Sequence, residues 1–282
     1  MAFRFLVLLF KWMPFWFLYR LSDVTYWIVY KIIGYRKKVV RQNLANAFPQ
    51  KTTAERILIE KKFYRHLFDI LLEGLKGFTL SMEELQKRQQ FMTPELPQQI
   101  IDKGKSAIIV GGHYGNWEWG GMIASTHTSS DVVILYAPIK NSYIDQYVKA
   151  SRSLYNTYFW SSPKAPRAFK AYQDQVATFV LIADQSPSNP KRAHWLSFLN
   201  QDTPFLKGPA SYAFNYDIPL LFIDFERIKR GYYTMTISVI TETPRNYTPE
   251  ELTTMYAQKL EAAIIKCPEL WLWSHRRWKH SR

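Results

Sequence analysis

The 282-residue sequence predicts an α/β fold, a mostly parallel mixed sheet flanked by helices, preceded by an apolar N-terminal helix that anchors the chain to a membrane. Three observations predict it. Short runs of branched aliphatic and aromatic residues alternate with stretches of helical periodicity, as in strands joined by crossover helices. Glycines or turn-forming residues close those runs, Gly111-Gly112 being the clearest case. Ahead of them, residues 1–34 are crowded with Phe, Trp, Tyr and Leu and broken only by single charges and Pro14.

That N-terminal segment holds no charge-free window of about 18 residues, so it fails the simple criterion for a transmembrane helix. Helical throughout, residues 3–33 would extend about 46 Å, more than a hydrocarbon core needs. We read an anchor kinked near Pro14, either tilted across the bilayer or lying partly in one leaflet, with Arg20 and Asp23 spaced to pair. Tyr35-Arg36-Lys37-Lys38-Val39-Val40-Arg41 follows. Four cations just past an apolar segment suit anionic headgroups on the cytoplasmic face of the inner (plasma) membrane. Residues 1–34 are thus expected to be the anchor, 35–105 a basic juxtamembrane and helical region, and 106–282 the α/β region, with 35–282 forming one domain.

Along the rest of the chain, Asn43–Phe48 closes at Pro49. A helix opens at Thr52 or Thr53 with Glu55 and runs through Phe63, Leu67 and Leu71 at near-3.6 spacing. Ser81 caps another that reaches Gln89, and Pro94 and Pro97 mark a loop. Ile108-Ile109-Val110 reads as a buried strand; Asp131–Tyr136, Thr178–Ala183, Leu220–Phe225 and Tyr232–Ile240 are the others. Asn141–Tyr155 is a basic helix, residues 186–192 are loop, and a final helix runs from Pro249 or Glu250 to Lys266.

Composition narrows the classes. Hydrophobic residues make up 47% and aromatics 16%, yet mean hydropathy is −0.25, which excludes a polytopic membrane protein. The single cysteine, Cys267, excludes an internal disulfide and fits a reducing compartment; its surroundings suit packing rather than nucleophilic chemistry. A net charge of +14 calls for a partner of opposite sign: nucleic acid, anionic lipid or an acidic carrier protein. Residues 1–50 hold eight Lys or Arg and one acid, Asp23, which points to lipid.

His113 sits on the turn after the first strand, with Glu118 five positions on at the start of a helix through Met122 and Ile123. An imidazole with a nearby carboxylate is the minimal general base, the acid orienting the ring and stabilising the imidazolium. Such spacing also arises by chance and serves ordinary hydrogen bonding. No metal or other cofactor is called for, since neither H-E-x-x-H nor paired-cysteine spacing occurs. The tail, Trp271 to His280, interleaves rings and cations; nucleic acid, a headgroup layer or cation–π locking inside the fold would each use it.

In order and spacing the chain resembles the bacterial lipid A biosynthesis acyltransferases, late acyl transferases within the lysophospholipid and glycerolipid acyltransferase superfamily. The resemblance rests on the apolar start followed by Gly34-Tyr35-Arg36-Lys37-Lys38-Val39-Val40, on His113-Tyr114-Gly115-Asn116-Trp117-Glu118, and on Arg152 in a basic helix. Ala183-Asp184-Gln185, the loop Thr203-Pro204-Phe205 before Lys207-Gly208-Pro209-Ala210, and Pro268 to Lys279 complete it. The loop after Gln185 departs from the family pattern in lacking glycines. The resemblance implies a glycerolipid acyltransferase-like fold and a His113/Glu118 dyad. It also implies an acyl thioester donor, acyl carrier protein or acyl-CoA, and a lipid A precursor as acceptor.

On this reading His113 takes the proton from the acceptor hydroxyl while that oxygen attacks the thioester. No G-x-S-x-G elbow is present, which favours direct transfer over an acyl-enzyme. Asn116, Arg152, Asp184, Gln185 and Lys207 are the expected substrate-binding residues, with Arg227 a further candidate for acceptor phosphates. Backbone N–H groups around Gly115 and Asn116 are candidate oxyanion donors. A lysophospholipid or amino-acid lipid as acceptor keeps the same chemistry. A basic membrane- or nucleic-acid-binding protein is the non-enzymatic alternative; the apolar start favours the membrane over nucleic acid.

Overall fold

The computed structural model describes residues 2–152 and 156–282, and for Ala2 and Arg152 the backbone alone. Helices α1 (Ala2–Trp12) and α2 (Phe15–Tyr26) are separated at Met13-Pro14, and α2 continues into a π-helical turn over Trp27–Ile33. The kink expected at Pro14 is therefore present, but the single apolar helix is not: three short pieces stand in its place. None of the described helices is long and apolar enough to cross a membrane. Asp23 does not turn to Arg20; it pairs with Arg230 at 2.7 Å.

Three helices follow, α3 (Lys37–Ala47), α4 (Thr53–Gly77) and α5 (Met82–Arg88). Thr52 and Glu55 close a capping box at the start of α4, satisfying two otherwise unpaired backbone N–H groups, and Ser81 caps α5. Next come β1 (Gln89–Phe91), α6 (Glu95–Asp102), β2 (Ala107–Gly111) and α7 (Trp117–Ile123). The chain continues through β3 (Asp131–Tyr136), α8 (Ser142–Arg152), β4 (Thr157–Ser161), α9 (Ala165–Ala171) and β5 (Ala177–Ile182). A ribbon of β6 (Ala193–Phe198) and β7 (Gln201–Leu206) leads to α10 (Gly208–Tyr216). The hairpin β8 (Leu220–Lys229) and β9 (Tyr232–Thr241) and helix α11 (Pro249–Lys266) complete the set.

The seven-stranded sheet has the order β1-β9-β8-β2-β5-β3-β4. Only β8 and β9 are antiparallel neighbours; every other pair is parallel, as the alternating pattern predicts. β2 lies at the centre and is buried along its whole length, which is why it reads as unbroken Ala-Ile-Ile-Val rather than as an alternation. Pro94 and Pro97 sit at the start of α6 rather than in a loop, as proline tolerates a first helical turn. Thr203-Pro204-Phe205 is strand, not loop: β7 has one partner, so the proline at 204 removes no ladder bond on its free side. The expected helix 141–155 begins at Ser142, capped by the Asn141 side chain, and its expected end at 153–155 lies outside the described residues.

Candidate active site

Strands β2 and β5 run parallel and adjacent, with Gly111 opposite Ile182. Two residues beyond that pair, the chain places His113 and Asp184 side by side at the carboxyl rim of the sheet, where open α/β folds put their chemistry. Asp184 Oδ1 lies 2.6 Å from His113 Nδ1. Its Oδ2 accepts from the His113 backbone N–H and from Trp271 Nε1, each at 2.8 Å. Gly112 makes this approach possible, because a Cβ there would stand 3.1 Å from Asp184 Oδ2 and 2.7 Å from Leu260.

A carboxylate only accepts, so Nδ1 carries the proton and Nε2 the lone pair. The Gln185 amide nitrogen sits 3.2 Å from Nε2, the geometry of an N–H donated to that lone pair. Burial alone would lower the imidazole pKa. The Asp184 charge and hydrogen bond, joined by the Glu118 charge, outweigh burial and hold it above the ordinary histidine value. Burial pushes Asp184 up, but the His113 charge, with the bonds from His113 and Trp271, holds it below the ordinary aspartate value. An imidazole held and charged in this way has the geometry a general base needs, with the carboxylate fixing its tautomer and orientation.

The sequence reading places Glu118 on this ring; the geometry gives Nδ1 to Asp184 instead. Glu118 lies one residue into α7, beside Gly74 of α4, where a Cβ would be 3.7 Å from its Cγ, and it accepts from Trp117 Nε1 at 3.2 Å. It lines the same cavity as His113 and acts on the ring through its charge. Asn116 is expected at the substrate but is fully buried and turned into the fold. Its Oδ1 caps α7 by accepting from the Trp119 N–H at 3.0 Å, and its Nδ2 donates to Glu73 at 2.8 Å. The Gly115 N–H, an expected oxyanion donor, is taken by the Leu270 carbonyl at 3.0 Å. Gly115 itself has φ +60 and a Cβ there would strike Phe225 at 2.4 Å, so the turn accepts only glycine.

Gln185 lines the same cavity beside His113. Lys207 follows β7 at the N-cap of α10, next to Leu206, which lines the cavity, and its charge bears on His194 rather than His113. Arg227, an exposed residue of β8, brings its guanidinium 3.5 Å from His66 Nδ1 and 4.0 Å from Asp69 Oδ2. The side chain of Arg152 lies outside the described residues.

An apolar cavity of about 510 Å³ opens from His113 and runs across one face of the sheet. Ile109, Val180, Ile223 and Phe225 form its floor, and Gly120, Gly121 and Ala124 of the α7 segment form its roof. At Gly121 a Cβ would meet nothing within 4 Å, so the missing side chain is part of the open volume.

Sequence reasoning missed Trp271, whose only signal was its place in an aromatic tail. That tail is locked inside the fold: Trp273 and Arg277 are fully buried, and the Arg277 guanidinium stands 4.6 Å over the Phe205 ring. The stretch from Leu270 crosses the His113 turn, pairing Tyr114 with Trp271 and donating the Leu272 N–H to the His113 carbonyl at 3.1 Å. Cys267 ends α11 and burial pushes its thiol up to about 11, consistent with packing.

Comparison with curated proteins gave no match. Residues 2–280, nearly the whole chain, match the family described as bacterial lipid A biosynthesis acyltransferase. With a poised imidazole at the mouth of an apolar chamber on an α/β sheet, the chain belongs to that family, and it is an acyltransferase of lipid A biosynthesis.

Proposed function

We propose that the protein moves a fatty acyl group from an acyl thioester, carried by acyl carrier protein or coenzyme A, to a hydroxyl of a lipid A precursor without an acyl-enzyme. It would work at the inner membrane, with its catalytic region on the cytoplasmic side. One geometry carries this reading: the unprotonated Nε2 of His113, backed by Asp184 at 2.6 Å, faces an apolar chamber of about 510 Å³. The chamber has the size and lining of a ligand site and suits a hydrocarbon chain. The acceptor hydroxyl replaces the Gln185 amide at Nε2 and gives up its proton there as its oxygen bonds to the thioester carbon. When the tetrahedral intermediate collapses, the C–S bond breaks and the imidazolium returns the proton to the thiolate. The displaced Gln185 amide is then free to donate to the oxyanion. Glu118 is the second carboxylate of the site, stabilising the imidazolium by its charge.

Purified protein, acyl carrier protein thioester and lipid A precursor should yield a product heavier by one acyl group. His113→Ala should lose about 10²–10⁴-fold of the rate. A fully active His113→Ala enzyme ends the general-base role.

A further inference from the structure

The two N-terminal helices and the π-helical turn are built into the catalytic body as one of its walls. Each lays one face on α4. The Lys76 ammonium donates to the carbonyls of Phe10, Lys11 and Met13 at 2.7, 2.9 and 2.9 Å, closing the carboxyl end of α1. On α2, Ser22 donates to Asp69 at 2.7 Å and Tyr19 to Glu73 at 2.9 Å. Arg230 bridges Asp23 and Asp69 at 2.7 and 2.6 Å. From the π-helical turn, Tyr30 packs on Tyr64 of α4, ring centroids 4.9 Å apart. A segment lifted away to stand across a bilayer would leave Asp69, Glu73 and Lys76 buried without these partners.

Among the described residues nothing covers the opposite face. Phe5, Leu8, Trp12, Trp16, Trp27 and Ile33 all point outward, Trp12 at 83% and Trp16 at 69% exposure. Exposed cations interleave with them: Arg4, Lys11, Arg20, Lys31, Arg36 and Lys38. Asp23, the sole acid before residue 50, is neutralised by Arg230. Large rings at the water–lipid boundary, aliphatics below them and cations around them match an anionic lipid surface.

We propose that this face seats the protein in a single anionic leaflet, entering the membrane without crossing it, so that the enzyme is monotopic. The inference rests on the membrane location given under the proposed function and leaves the chemistry at His113 untouched. A short hydrophilic epitope joined to Met1 tests the topology. Protease should remove it from inverted inner-membrane vesicles, where the catalytic body is also digested, and not from spheroplasts; the opposite pattern overturns the proposal. The triple variant Trp12→Glu, Trp16→Glu, Ile33→Glu tests the surface, because these side chains are largely exposed and the ring contacts of Trp12 and Trp16 are with their chain neighbours Lys11 and Phe17. It should keep its thermal melt and its turnover of a short-chain, water-soluble acceptor, and bind phosphatidylethanolamine–phosphatidylglycerol vesicles at least tenfold more weakly. Unchanged vesicle binding overturns the proposal, and so does a wild-type dimer that the same substitutions dissociate.

Discussion

Asp184 spends both carboxylate oxygens on three donors, and two of those donors belong to His113. The arrangement fixes the tautomer, the ring orientation and the basicity of the imidazole together. It also gives a pH signature. In the proposed role the imidazole works unprotonated, and its pKa is raised above the ordinary 6.5, so kcat/KM should climb through an acid limb lying above pH 6.5. Asp184→Asn removes the main raising charge, moving that limb to lower pH and costing about 10²-fold or more in rate. Glu118→Gln should shift the limb in the same direction by less, since Nδ1 stays held. Rate–pH profiles of the two variants decide between them: a limb that moves only in Glu118→Gln would return the ring-holding role to Glu118.

At the scale of elements, α7 sets what the chamber can hold. Gly120 cannot carry a side chain, because a Cβ would meet the Phe225 ring at 2.6 Å, whereas Gly121 faces open space. Gly121→Val should therefore fold normally and fill part of the chamber. Each methylene forced out of apolar contact costs about 0.8 kcal/mol, so preference should shift toward shorter acyl donors by roughly tenfold for two carbons. Competition between donors of two chain lengths measures it; an unchanged ratio removes the chamber from the acyl site. Much of this element-level picture was legible in the sequence. The strand ending at Gly111-Gly112 and the strand ending before Asp184 stand out as aliphatic runs with breakers, and Thr52-x-x-Glu55 announces its helix. Which strands lie side by side was not legible. Glu118 is near His113 in the chain, but Asp184 is brought to it from 71 residues away by the β2–β5 register, a contact no local spacing encodes. The short β1 and the β6–β7 ribbon were missed for a related reason: their residues have weak strand character and are held by their partners. The turn between β6 and β7 even places Leu199 and Asn200 both at positive φ, a conformation leucine adopts only under tertiary packing.

Across the whole molecule, Glu73 joins parts that are distant in sequence. It is fully buried and accepts from Tyr19 at 2.9 Å, Asn116 at 2.8 Å and Tyr233 at 2.9 Å, linking α2, the cap of α7 and β9 through α4. Burial, with the neighbouring Asp69 charge, pushes its carboxyl up to about 7 from 4.5. A folded-state pKa above the unfolded one gives stability that is complete below pH 4.5 and lost as pH rises through about 7. The stability difference between wild type and Glu73→Gln should therefore move against wild type by about 3 kcal/mol across that window. Denaturant unfolding of both proteins at its two ends checks this; a difference that does not change with pH places the proton elsewhere.

The strand of tail that crosses the His113 turn has a consequence for biogenesis. Translation makes the lipid-seeking helices first and Trp271 long after His113, an interval of roughly 8–30 s at ordinary elongation rates. Until that indole reaches Asp184, the carboxylate lacks one of its three donors and the turn lacks its covering strand. A nascent chain whose N-terminal face seats in a leaflet, as proposed, would therefore do so before the His113 turn has its full set of contacts.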